Sequence, residues 1–123
     1  MRLLLDTHVF IWWDEGAGLS KPALSAIRDA DQVYVSAVTG WEIALKSNLG
    51  RIRTTRDVVS AAAEAGFEEL PIRLTHTTVL RDLPMHHRDP FDRMLVAQAT
   101  AEGLTLVTRD PVIAEYGVKT LRA

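Results

Sequence analysis

The sequence predicts an α/β fold, a three-layer α/β/α single domain with a mostly parallel central sheet, and three observations carry that prediction. Leu3-Leu4-Leu5 is an unbroken apolar run. A strand with one wet face would alternate apolar and polar residues, so this run suits a strand buried on both faces. Stretches of strand composition then alternate with stretches of helical rhythm, the order expected of parallel strands joined by helical crossovers. Finally, 123 residues of which 47% are hydrophobic suffice for one core and fall short of two, so residues 1–123 are expected to form one domain.

The first strand ends at Asp6. Central strands of open parallel sheets point their carboxyl ends into the crevice where ligands bind, so Asp6 is placed for chemistry, for capping the next helix, or for both. Val9 to Trp13 is an apolar and aromatic cluster assigned to the core, and Asp14 to Gly18 is a turn or loop. Ser20-Lys21-Pro22 supplies a cap followed by proline, and Leu24, Ile27 and Arg28 continue a helix that fades at Asp29 to Asp31. Val33-Tyr34-Val35 is the second strand, and Ser36 caps a helix carrying Val38, Trp41, Ile43, Ala44, Leu45 and Leu49 that ends between Asn48 and Gly50.

Arg51-Ile52-Arg53 connects, and Thr55 or Asp57 opens a helix with Val58, Val59, Ala62, Ala63 and Ala65 that stops at Gly66. A short, irregular third strand lies within Phe67 to Ile72, weakened by Glu68, Glu69 and Pro71. A helix from Thr75 to Leu83 precedes Pro84, and the clearest helix of the chain runs from Pro90 to Glu102 before Gly103. Leu104 to Thr108 is again a strand, Asp110-Pro111 turns, Val112 to Tyr116 is one helical turn, and Val118 to Leu121 is a last edge strand.

Composition narrows the chemistry. A formal net charge of −2 with 24% charged residues excludes a broadly basic nucleic-acid binder and an acidic disordered tail, though a local patch can still meet RNA. No cysteine is present, so disulfides, thiolate nucleophiles and sulfur-ligated metals are excluded and a cytoplasmic protein is expected. The start of the chain lacks the apolar core and small-residue cleavage site of a signal peptide, and no stretch reaches membrane-spanning length.

Asp6, Glu42, Asp92 and Asp110 fall at element boundaries or on early helical turns. Parallel strands would bring such positions to one end of the sheet, where gathered carboxylates repel one another unless a hard divalent cation offsets them. That pattern asks for Mg²⁺ or Mn²⁺, whose common work in oxygen-ligand sites is phosphodiester hydrolysis by an activated water. Each acid also has a plainer reading. Asp89, Pro90 and Asp92 fit a capping box, Asp110-Pro111 a turn, and Glu42 with Lys46 an exposed helical pair. Thr7, Lys46 and Arg93 are candidates to contact RNA phosphates, with His86, His87 and Arg88 as further cations bordering the acidic cleft, and His8 is either a neighbour of the site or a satisfied, partly buried residue. His86-His87 is not read as a zinc pair, because adjacent side chains diverge and neither has a partner at helical metal-site spacing.

These pieces in order resemble the PIN-domain family, and within it the small ribonuclease toxins of bacterial VapBC-type toxin and antitoxin pairs. The matching residues are Leu4-Leu5-Asp6-Thr7-His8, Ser36 through Trp41-Glu42-Ile43 with Lys46, His87 to Arg93 with Leu95 to Ala99, and Leu106 to Asp110. The resemblance implies a PIN-like fold and an acidic pocket of Asp6, Glu42, Asp92 and Asp110. It also implies Mg²⁺- or Mn²⁺-dependent endonucleolytic cleavage of RNA, a homodimer, and silencing by a cognate antitoxin whose C-terminal segment fills a groove near the site. The chain departs from the family in following Asp110 with Pro111 rather than a second acid or an aromatic. Other classes stay open. An Asp-based phosphatase would want a second Asp where His8 stands, a receiver-like domain would want a lysine after the late strand where Arg109 stands, and a non-catalytic RNA or protein interaction module would bind RNA without cutting it.

Overall fold

The computed structural model describes residues 1–53 and 56–123, so the proposed cap Thr55 lies outside the described residues. In chain order the elements are β1 (Arg2–Leu5), α1 (Thr7–Glu15), α2 (Lys21–Asp29), β2 (Gln32–Ser36), α3 (Ala37–Asn48) and α4 (Val58–Ala65). They continue with β3 (Glu68–Leu70), α5 (Leu74–Asp82), α6 (Pro90–Glu102), β4 (Thr105–Thr108), α7 (Pro111–Ala114) and β5 (Thr120–Arg122).

All strand pairings are parallel, and the sheet order is β3-β2-β1-β4-β5. The first strand is therefore the middle of the sheet, which is why three leucines in a row are all fully buried. Successive side chains alternate between faces, so Leu3 and Leu5 join a core with Val9, Phe10, Ile27, Val35 and Val107, whereas Leu4 joins the opposite core with Leu95, Val96, Leu106 and Ile113. Helices α1, α2 and α4 cover the first face and α6 and α7 the second, which makes the three layers. From β1 the chain builds outward through β2 and β3 and then crosses back to place β4 on β1's other side. The carboxyl ends of β1 and β4 thus flank the point where strand order reverses, the usual crevice of such sheets.

The cluster Val9 to Trp13 is a helix, α1, and not only packing material. Asp6 caps its start by accepting the Val9 N–H, and Gly16, at φ 75°, ends it in the left-handed conformation that glycine adopts without a Cβ penalty. Ser20, Ser36, Asp89 and Asp110 accept N–H groups at the starts of α2, α3, α6 and α7, whereas Asp57 stands at the start of α4 without a side-chain capping bond. Ser36 also donates to Gln98 Oε1 at 2.5 Å, joining the start of α3 to the middle of α6, so two helices far apart in sequence share one buried tie. Among the described residues, no helix is long and apolar enough to cross a membrane.

Candidate active site

Asp6 leaves the end of β1 and is 8% exposed. Its Oδ1 accepts the Val9 N–H at 3.0 Å and its Oδ2 accepts the Thr108 hydroxyl at 2.5 Å, so capping and cleft-facing positions are one arrangement. Burial nevertheless raises its pKa. The Thr108 and Val9 hydrogen bonds and the nearby His8 oppose that rise, and Glu42 adds to it. His8 itself is exposed, two residues beyond the acid whose charge it favours.

Glu42, on the second turn of α3, is 2% exposed and is not half of an exposed pair. Its Oε1 accepts the Thr7 hydroxyl at 2.6 Å, and its Oε2 pairs with the Lys46 ammonium one turn along the helix. Thr7 has given its proton to Glu42, so it accepts from Thr39 at 3.2 Å. That corrects the expectation for Thr7: a 2% exposed hydroxyl committed to Glu42 positions an acid and does not reach a phosphate. Lys46 keeps about a quarter of its side chain exposed, and its pKa is raised, first by the hydrogen bond to Glu42 and further by the charges of Glu42, Asp89 and Asp92.

Asp92 enters from the first turn of α6. The capping box expected here is only half formed. Asp89 Oδ1 accepts from Phe91 N–H at 2.8 Å and Asp92 N–H at 3.1 Å, but the Asp89 N–H goes to His87 Nδ1 at 3.1 Å. The Asp92 carboxylate is therefore released from capping and faces the cleft. Burial pushes its pKa up to about 7, with the charges of Asp89, Glu42 and Asp6 adding and His87 opposing. Asp110 caps α7 through Oδ1, which accepts the Val112 N–H at 2.9 Å, and turns Oδ2 to His87 Nε2 at 2.8 Å. Asp110 thus makes the local turn expected of it while its second oxygen faces His87.

Thr108 was not picked out from the sequence, and His87, expected as a cation at the border of the cleft, stands between two of its acids. Thr108 donates to Asp6 and accepts the Asp110 N–H at 3.1 Å, so one buried hydroxyl joins two of the acids. His87 Nε2 lies 2.8 Å from Asp110 Oδ2 and 3.2 Å from Asp92 Oδ2. A shared local signal marks both: a Thr or His two residues before an Asp whose own N–H it can accept. Arg93, expected on RNA, is instead committed internally. Its guanidinium donates to the Pro84 carbonyl at 2.8 Å and the Tyr116 hydroxyl at 3.1 Å, and reaches the Leu80 and Leu83 carbonyls, holding the segment between α5 and α6.

Among the described residues, the ligand atoms of His87, Asp92 and Asp110 come within 4.8 Å of one another, the spacing of a shared cation, while Asp6 and Glu42 stand outside that set. The donor chemistry fits a hard divalent ion. The surplus is in carboxylate oxygens, and the charge of neighbouring acids is part of what raises the Asp92 pKa.

A family model described as PIN domain matches residues 3–119. Ribonuclease VapC22 of Mycobacterium tuberculosis is 31% identical over 112 residues, covering 88% of this chain and 86% of that protein. Two solved structures share the fold: VapBC2 from Rickettsia felis bound to a DNA fragment from its promoter, and DNA-bound VapBC from Salmonella typhimurium. The first has TM-score 0.74 and 14% identity, covering 99% of this chain and 98% of that one. The second has TM-score 0.72 and 16% identity, again covering 99% and 98%. With the acids in family order at the carboxyl end of a parallel sheet and the model spanning nearly the whole chain, the protein belongs to the PIN-domain family, in its VapC-like branch.

Proposed function

We propose that the chain is a metal-dependent endoribonuclease, the toxin of a bacterial toxin and antitoxin pair, acting in the cleft of Asp6, Glu42, Asp92 and Asp110. The observation that carries this reading is the gathering of four acids from distant stretches at one end of the sheet, with two of them raised in pKa mainly by burial. In this reading Asp6 and Asp92 give the principal oxygens to Mg²⁺ or Mn²⁺, and Glu42 and Asp110 complete the pocket. Such an ion lowers the pKa of a water and offsets charge gathering on the scissile phosphate.

The chain's own residues do the aiming. Thr108 and the Val9 N–H fix the plane of the Asp6 carboxylate, and Thr7 and Lys46 fix that of Glu42. Rigid placement matters because misaligned ligands forfeit much of a preorganised site's electrostatic effect. Lys46, still partly exposed, and Arg88, exposed beside His87, are the cations proposed to hold the RNA backbone. A homodimer and a cognate antitoxin belong to the same proposal. Trp41 and Leu45 on α3 and Leu49 at its C-cap recur at helical spacing at 59%, 42% and 59% exposure, an apolar stripe suited to a second copy. A separate groove of about 400 Å³, lined by Ala37, Gly40, Val58, Val59, Ala62 and Phe67, suits an antitoxin segment.

The test incubates the purified chain with total cellular RNA, with Mg²⁺, with Mn²⁺ and with chelator, and maps the cut ends. Metal-dependent cuts bearing a 5′ phosphate and a 3′ hydroxyl are expected. Cutting that persists in chelator, or ends carrying a cyclic phosphate, would reject the mechanism, and RNA retained but uncut with metal bound would identify a binding module.

A further inference from the structure

His87 lies at the ligand end of the cleft, yet its hydrogen bonds make it a poor ligand. The Asp89 N–H donates into Nδ1, so the ring proton of the neutral imidazole sits on Nε2, and Nε2 is the atom that faces Asp110 and Asp92. A nitrogen carrying that proton offers no lone pair to an ion. The ring is also held from behind, because the His87 backbone N–H donates to the Tyr116 hydroxyl at 2.7 Å and Tyr116 in turn accepts from Arg93. Arg93 ties the same segment down at Pro84, and the Asp89 side chain locks the next residues onto α6. A polar loop so fully tied behind one imidazole presents a donor in a set direction.

We infer that His87 is a positioning residue whose backbone-fixed Nε2–H bridges Asp92 and Asp110 and aligns the two carboxylates for a divalent cation without itself binding the ion. The inference rests on the metal-dependent reading above and adds a role for a residue outside the four acids. It separates two uses of the same short distances. As a ligand, His87 would have to break the Asp89 bond and move its proton to Nδ1. As a donor, it keeps both bonds and acts through Asp110, the acid closest to it.

Mn²⁺ is the probe, used with the full chain as wild type, His87→Ala and His87→Gln. Calorimetry reads affinity, electron spin-echo spectroscopy of bound Mn²⁺ reads whether a nitrogen is bonded to it, and nitrogen NMR of the metal-free ring reads the tautomer. Expected are an Nε2–H tautomer and bound Mn²⁺ without directly coordinated nitrogen. Affinity should fall in H87A by roughly 10- to 100-fold, the scale for removing a partner that orients a ligand, and largely recover in H87Q, whose amide can donate from a similar place. A directly coordinated nitrogen in wild type that vanishes in H87A would make His87 a ligand and overturn the inference. Wild-type affinity in H87A would overturn it too, as would loss in H87Q equal to that in H87A while circular dichroism shows both folded. Failure of wild type to bind Mn²⁺ at all would instead remove the metal-dependent reading, and this inference with it.

Discussion

On the Asp6 and Glu42 wall of the cleft every carboxylate oxygen has a donor of its own, from the Val9 N–H, the Thr108 and Thr7 hydroxyls and the Lys46 ammonium. Across the cleft, the facing oxygens of Asp92 and Asp110 share one imidazole. Burial explains the difference. Asp6 and Glu42 stand among the strands and helices of the core, where an unpartnered charge is costly, so the fold builds in donors. Asp92 and Asp110 keep about a quarter of their side chains exposed, and solvent or an ion can complete them. The inner wall is finished by the fold, and the outer wall is left for a cation to finish.

The largest expected effect comes from the inner wall. In Asp6→Asn the amide oxygen can still cap α1, but its NH₂ meets a Thr108 hydroxyl that has lost its acceptor. Cleavage should fall on the order of 10³-fold, the scale of deleting a principal group from a preorganised site, with circular dichroism unchanged. Cleavage within tenfold of wild type would mean that Asp6 serves mainly as a cap. Next is Thr108→Val, which strips a donor from Asp6 and an acceptor from the Asp110 N–H at once. It should cost about 1–3 kcal/mol in denaturant unfolding and weaken Mn²⁺ by roughly tenfold or more, whereas Thr108→Ser should stay near wild type. Equal behaviour of the two variants would show that the hydroxyl does not link the walls.

The acids themselves were legible in the sequence because strand ends and helix starts are punctuated by local signals. Leu3 to Leu5 named the central strand, and the Pro90 to Glu102 helix matched to the residue. The helical character of α1 was not legible, since five consecutive apolar residues have no period to read, and one side packs into the core while the other is only half covered. Nor were the partners. Thr7 and Glu42 are 35 residues apart, and His87 and Asp110 are 23 apart, so nothing local marks either pairing. The two cations expected on RNA differ for the same reason: Arg93 found carbonyl acceptors in a loop whose path the sequence did not give, whereas Lys46 was already paired with Glu42 by helical spacing.

A smaller effect, opposite in sign, is expected on the outer wall. Asp92 has a folded-state pKa of about 7 against an ordinary value of 3.8, so the folded protein is destabilised as pH rises between those values and stays so above them. Asp92→Asn removes the ionisable group. Without metal, its melting temperature should exceed wild type at pH 8 by on the order of 4 °C, with the gap closing as pH falls toward 4. A constant gap across that range would show that the charge is not its source. For wild type, ion binding should weaken below about pH 7, because the cation must then displace the Asp92 proton.

The smallest effect probes what stands behind the outer wall. Tyr116 reaches it only through its hydroxyl, which accepts from the His87 N–H at 2.7 Å and from Arg93 at 3.1 Å, while its ring packs edge-on against His86 at 5.0 Å between centroids. Tyr116→Phe keeps the ring and deletes only the acceptor. Arg93 retains its carbonyls, the Asp89 N–H still fixes the His87 tautomer, and His87 is only partly buried, so water can serve its freed N–H. The loss is then one net hydrogen bond, about 1 kcal/mol, and only the part transmitted to the imidazole can reach the ion. Mn²⁺ affinity by calorimetry should fall roughly two- to fivefold, well short of the fall expected for H87A. A loss as large as that of H87A would mean that the tyrosine, and not the Asp89 N–H, sets the direction of the ring.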